Sequence, residues 1–151
     1  MMKIVYQGIS GSYSESCAKK MFPNVETVSC KTFDECFEKA SLDSNIRAII
    51  PESNKTTGNI GVEYLIFKYR LNIYEEFFCP INHHLVGIKD AELKDIKDVY
   101  SHAQALSQSS QFLKKNNLNG NVRADTAGSA KFVSELGDKN KAAIASRLSA
   151  E

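Results

Sequence analysis

The sequence has almost no net charge: 19 Lys+Arg stand against 18 Asp+Glu in 151 residues, a formal balance of +1. So small an excess gives no default affinity for a polyanion, and no nucleic-acid partner is expected. Long apolar runs are also missing. Nothing approaches the roughly 20 residues that cross a bilayer, and the opening Met1-Met2-Lys3-Ile4-Val5-Tyr6-Gln7-Gly8 holds no apolar core of signal-peptide length. No membrane association and a cytoplasmic location are therefore expected. The four cysteines, Cys17, Cys30, Cys36 and Cys79, include no C-x-x-C pair, and none stands beside a histidine at metal-ligand spacing. They read as reduced, mostly packed thiols of an intracellular protein. There is no internal repeat, no low-complexity tract and no Gly/Ser/Pro linker, so one globular unit is expected, with room for two lobes at about 1–75 and 76–151. A chain of this size buries roughly two-thirds of the surface of its unfolded form, enough to hold a core without disulfides or metal.

What is present is an alternation of short apolar stretches with helical patterns, which argues for a mainly parallel sheet with crossover helices. Residues 3–6, 26–30, 46–50, 72–78, 85–88, 98–100, 121–123 and 142–145 read as strands. Helical patterns cover 14–21, 62–69, 103–116 and 126–136. A further helix opens at Thr32, where Thr32-Phe33-Asp34-Glu35 has the form of a capping box and Phe33, Cys36, Phe37 and Ala40 make one apolar stripe. Residues 146–151 begin like a helix without the length to finish one.

Three polar loops stand where a strand's carboxyl end meets a helix, the place where open α/β sheets bind ligands: 7–14, 51–58 and 101–108. Their hydroxyls, amides and helix-start N–H groups suit a small anion such as a carboxylate. None is a G-x-G-x-x-G or a P-loop, so no nucleotide is indicated. Ser101 and Gln108 are seven apart and would lie near one azimuth of a helix starting at Ser101, within reach of one ligand. The same spacing also fits Ser101 as a helix cap and Gln108 as a solvated surface residue. His83 and His84 point to opposite faces if they lie on a strand, and with His102 the only other histidine no metal ligand set is apparent.

At these loops the sequence resembles the prephenate dehydratase domain. Val5-Tyr6-Gln7-Gly8 through Ser12-Tyr13-Ser14 is similar to the family's first strand and Gly-Pro-x-Gly-Thr/Ser-Phe-Ser loop. Pro51, Asn54 and Gly58 fall on Pro-Ile-Glu-Asn-Ser-x-x-Gly, and Ser101-His102-Ala103-Gln104-Ala105-Leu106-Ser107-Gln108 follows Ser-His-Pro-Gln-Ala-Leu-Ala-Gln. Asp125-Thr126-Ala127-Gly128-Ser129-Ala130 and Ala142-Ala143-Ile144-Ala145-Ser146 resemble Ser-Thr-Ala-x-Ala-Ala and Ala-Ala-Ile-Ala-Ser.

The resemblance implies a two-lobed α/β fold like a type II periplasmic binding protein, with mainly parallel sheets, helices on both faces and the substrate between the lobes. It implies conversion of prephenate to phenylpyruvate in phenylalanine biosynthesis, with no cofactor and no metal, by a homo-oligomer. Asn54, Ser101 and Gln108 are the catalytic residues it assigns, and Ser10, Ser12, Ser53, His102 and Thr126 are expected to bind substrate. Two departures stand out: Ser53 and Lys55 occupy the places of the family's Glu and Ser in the second motif. The family's later Thr-Arg-Phe and its regulatory ACT domain do not occur in this sequence, and the expectation is a chain essentially inactive by itself. The competing expectation is a non-catalytic binding module for a small cyclic dicarboxylate.

Overall fold

Three parallel strands, β1 (Lys3–Gln7), β2 (Glu26–Cys30) and β3 (Ile46–Ile49), form a sheet in the order β2-β1-β3 in the computed structural model, which describes residues 1–56 and 58–151. The central strand is covered on both faces, which is why Ile4, Val5 and Tyr6 form an uninterrupted buried run. Helix α1 (Tyr13–Met21) connects β1 to β2, and α2 (Phe33–Leu42) connects β2 to β3. The two right-handed crossovers run in opposite directions across β1, so the helices fall on opposite faces. Accordingly Val5 packs with Cys36 of α2, while the Tyr6 phenol hydrogen-bonds Glu15 of α1. The Thr32 hydroxyl caps α2 by accepting from the Glu35 N–H at 3.1 Å. Glu35 reaches back one residue further than a capping box requires, accepting from the Lys31 N–H at 2.7 Å. After β3 come the two-residue strands β4 (Ser53–Asn54) and β5 (Gly58–Asn59), then α3 (Glu63–Tyr69). The latter docks on α2 through Asp34, which accepts from the Tyr69 hydroxyl at 2.8 Å and pairs with Lys68 at 2.7 Å.

Two expectations fail in this region. Residues 71–83 join no sheet, although 72–78 read as a strand. β-propensity expresses a fit to a pleated partner, and without one the segment is fastened by side chains instead. The Arg47 guanidinium lies 5.0 Å from the centre of the Tyr74 ring, and Cys79 is bonded to Cys17 of α1. That disulfide corrects the expectation of four reduced thiols. The fold brings the two Cα atoms to 6.3 Å across 62 residues of sequence, a proximity that spacing does not reveal. Cys30 and Cys36 are free and buried, and burial raises the Cys36 thiol pKa.

The second sheet contains β6 (His84–Gly87), β7 (Asp98–Ser101), β8 (Asn119–Val122) and β9 (Lys141–Ala145) in the order β6-β9-β7-β8, with β6 antiparallel to β9 and the other pairs parallel. Side chains alternate between two cores. Val99, Ala142 and Ile144 pack under α4 (Ala103–Gln108) and α5 (Ser110–Lys115), with Leu106 and Leu113. Ala143 and Ala145 pack under α6 (Thr126–Leu136), with Ala130 and Val133. The single helix expected over 103–116 is broken at Ser109, where ψ is 8° rather than the about −42° of a helix. Serine hydroxyls compete for backbone groups, and the run Ser107-Gln108-Ser109-Ser110 is a natural place for such a break. Helix α6 matches its expected bounds because both ends are coded: Asp125 accepts from the Gly128 N–H, and Gly137 takes the left-handed conformation, φ 64°, that ends it. Short 3₁₀ turns occur at Leu93–Asp95 and Arg147–Ala150.

The chain thus forms two compact units, Met1–Ile9 with Tyr13–Pro80 and Ser10–Ser12 with Ile81–Glu151. Among the described residues no helix is long and apolar enough to cross a membrane. Because the Cys17–Cys79 bridge closes a loop of 62 residues, reducing it or making Cys79→Ser should lower unfolding free energy by about 2–4 kcal/mol. Urea denaturation reads this as a lower midpoint; identical midpoints with and without reductant would show that the two thiols are not joined.

Candidate active site

The parallel strands β7, β8 and β9 present two chemically different ends. At their amino ends Asp98 pairs with Lys141 and accepts from the Asn119 amide at 3.2 Å. The Lys141 hydrogen bond, with that of Asn119, holds the Asp98 carboxyl below the usual carboxylate range. This is a charged cluster satisfied internally. At the carboxyl ends hydroxyl and amide side chains stand beside charged ones, Arg123 directly after β8 and Arg147 directly after Ser146, and here the candidate residues of the second unit collect.

Ser101 ends β7, is fully buried, and donates its hydroxyl to the Ile144 carbonyl of β9 at 2.6 Å. Ser146 follows β9, is also buried, and donates to the Gly11 carbonyl at 2.5 Å while accepting from the Ser149 N–H at 3.1 Å. The Ser149 hydroxyl donates to the same carbonyl at 2.8 Å. Both hydroxyls therefore seat the Ser10–Ser12 loop at the end of β9. The seat demands glycine at position 11: φ is +89°, and a Cβ there would lie 2.8 Å from the Ser149 Oγ. Just beyond the loop in sequence, burial pushes the Tyr13 phenol pKa up to about 12. Tyr6 is likewise raised to about 12, by burial first and then by the neighbouring Glu15 charge.

Helix α4 starts at Ala103, not at Ser101, and its cap is His102, whose Nδ1 accepts from the Gln104 N–H at 3.4 Å. The shared azimuth inferred from the seven-residue spacing therefore does not apply. Ser101 points into the sheet, whereas Gln108, exposed in the last turn of α4, lies with its Oε1 2.6 Å from the His83 Nε2. Thr126 is half-buried at the first position of α6, after β8. The second unit thus contains Ser10, Ser12, Ser101, His102, Gln108 and Thr126. Ser53 and Asn54 belong to the first unit, on β4, where the Asn54 Oδ1 accepts from the Thr56 N–H at 2.9 Å. Thr57, within the 51–58 loop, lies outside the described residues.

Three residues of this arrangement are absent from the sequence-based set: Ser146, Ser149 and His83. Ser146 ends a recognised motif, but nothing in the sequence pairs it with a carbonyl 135 positions away. Two adjacent histidines suggest a metal ligand rather than a partner for Gln108, and His84 is turned to the Asn82 carbonyl, 3.0 Å away. Among the described residues no three His, Cys, Asp or Glu side chains gather in ligating geometry. Hydroxyl and amide donors suit the oxygens of a carboxylate. Replacing Ser146 by alanine leaves the Ser149 N–H with only the Ser146 carbonyl, at 3.2 Å, and Gly11 with one donor fewer. Ser146→Ala should cost about 1–2 kcal/mol, measured as a shifted denaturation midpoint; a wild-type midpoint would show that the loop seat contributes nothing.

Comparison with known proteins bears on what this site belongs to. The family model described as prephenate dehydratase matches residues 4–151. The chain is 40% identical over 146 residues to arogenate dehydratase/prephenate dehydratase 1, chloroplastic, of Arabidopsis thaliana, covering 96% of this chain and 37% of that protein. Among solved structures it is similar to GqqA, described as a novel type of quorum quenching acylase, with a TM-score of 0.91 and 30% identity over 97% of this chain and 54% of that one. It is also similar to a prephenate dehydratase in complex with L-Phe from Arthrobacter aurescens, with a TM-score of 0.87 and 22% identity over 98% of this chain and 51% of that one. The chain spans little more than a third of the curated relative and about half of each solved one. A family match that begins at the first strand and runs to the last residue, over the same loops that carry the candidate residues, makes the chain a member of the prephenate dehydratase family.

Proposed function

We propose that the full-length protein converts prephenate to phenylpyruvate, as a step of aromatic amino-acid biosynthesis. In this reaction the ring carboxylate leaves as CO2, its bonding pair enters the ring, and the hydroxide on the opposite ring carbon departs and takes up a proton to become water. Aromatisation supplies the driving force, so the protein's task is placement and help for the leaving hydroxide. The observation that carries this reading is the family match over residues 4–151, which takes in the loops at the carboxyl ends of β7, β8 and β9. In the second unit the Gln108 amide orients the ring and its hydroxyl, and Ser10, Ser12, His102 and Thr126 offer polar groups to the carboxylates; for Asn54 and Ser53, of the first unit, the support is the family resemblance. Ser101 acts from within the sheet, by holding the end of β7, from which α4 departs, against β9.

The name of the Arabidopsis relative favours a second reading, in which the substrate is arogenate, with an amino group where prephenate has a ketone. Self-association belongs to the same proposal. Phe67, Ile73, Tyr74 and Phe78 are exposed large apolar side chains of the kind that pack at subunit contacts.

The test is turnover of each acid by the full-length protein. Phenylpyruvate should form from prephenate, and Asn54→Ala and Gln108→Ala should each lower kcat by about a hundredfold. Phenylalanine from arogenate with no phenylpyruvate from prephenate would favour the second substrate. Binding without turnover of either would leave a non-catalytic module and refute the enzymatic reading.

A further inference from the structure

We propose that His83 is a positioning residue for Gln108, a role that rests on Gln108 acting in the reaction proposed above. The two side chains come from elements 25 residues apart, the segment before β6 and the last turn of α4, and meet at 2.6 Å between His83 Nε2 and Gln108 Oε1. Of the two adjacent histidines only His83 is turned this way, since the His84 Nδ1 bonds to the Asn82 carbonyl at 3.0 Å.

The physical consequence concerns both freedom and polarity. Gln108 is exposed, and an exposed glutamine has three side-chain torsions to lose before it can hold a substrate. His83 is half-buried, and its rigid ring carries the donor at a fixed distance from the backbone. A carbonyl oxygen is an acceptor only, so the imidazole Nε2 carries the proton and donates to Gln108 Oε1. With Oε1 accepting from His83, the groups by which Gln108 can meet a substrate oxygen are its amide N–H donors. That is the polarity needed to bind a departing hydroxide or a carboxylate, and ordering the side chain beforehand lowers the cost of reaching the reactive geometry. His83 itself touches no reacting atom.

The experiment is a double-mutant cycle in the full-length protein, using His83→Ala, Gln108→Ala, the double variant and His83→Gln. It is read by kcat with prephenate and with arogenate, and by the side-chain amide resonances of Gln108. His83→Ala should lower kcat about tenfold, the worth of one neutral hydrogen bond, and should cost nothing further when added to Gln108→Ala. His83→Gln, whose Nε2 is also a donor and, like the ring Nε2, lies three bonds from Cβ, should recover most of the loss. In His83→Ala the Gln108 amide resonances should move. Equal losses in both backgrounds would overturn the proposal, because a residue acting through Gln108 has nothing to act through once the amide is removed. Unmoved Gln108 resonances would overturn it as well. If the unmodified protein turned over neither acid, the proposed function would fail, while the resonances would still decide whether His83 orders Gln108.

Discussion

A single carbonyl, that of Gly11, holds the candidate site together. It accepts from Ser146 at 2.5 Å and from Ser149 at 2.8 Å, joining a loop near the start of the chain to residues that follow its last strand. The consequence is visible in how the chain divides. Ser10–Ser12 belong to the second compact unit although the strand before them and the helix after them belong to the first. The geometry is strict because a Cβ at position 11 would collide with the Ser149 hydroxyl, and because φ there is positive.

How much of this was legible beforehand follows the range of the forces involved. Elements whose signals are local were readable. The start of helix α2 and both ends of helix α6 lie where the capping residues suggest, because Thr32, Asp125 and Gly137 act on their own backbone neighbours. Features that depend on distant partners were not. The 72–78 stretch has the composition of a strand but no ladder partner, and Cys17 and Cys79 are brought together only by folding. The helix break at Ser109 is an intermediate case, since a serine-rich run permits a break without dictating one.

For the site the division is similar. The sequence pattern puts 101–108 after a strand, and the structure ends β7 at Ser101, caps α4 with His102, and has Gln108 in the last turn of α4 and Thr126 at the first position of α6. The pattern did not reveal what each side chain does there. Ser101 was expected to meet a ligand or cap a helix, whereas its hydroxyl bonds the Ile144 carbonyl and the cap is His102. The two ends of the sheet differ in chemistry: Asp98 and Lys141 pair at one end, and at the other the Ser101 and Ser146 hydroxyls bond backbone carbonyls.

The central claim is that the end of the sheet carrying Ser101, Ser146 and the seated Ser10–Ser12 loop is where a cyclic dicarboxylate binds. Titrating isotope-labelled protein with prephenate and following backbone amide resonances tests it most directly. The account predicts that the signals of residues 10–12, 101–104 and 146–149 move together along one saturation curve, while those beside Asp98 and Lys141 stay in place. Movement confined to the Asp98–Lys141 end, or none at saturating prephenate, would contradict it.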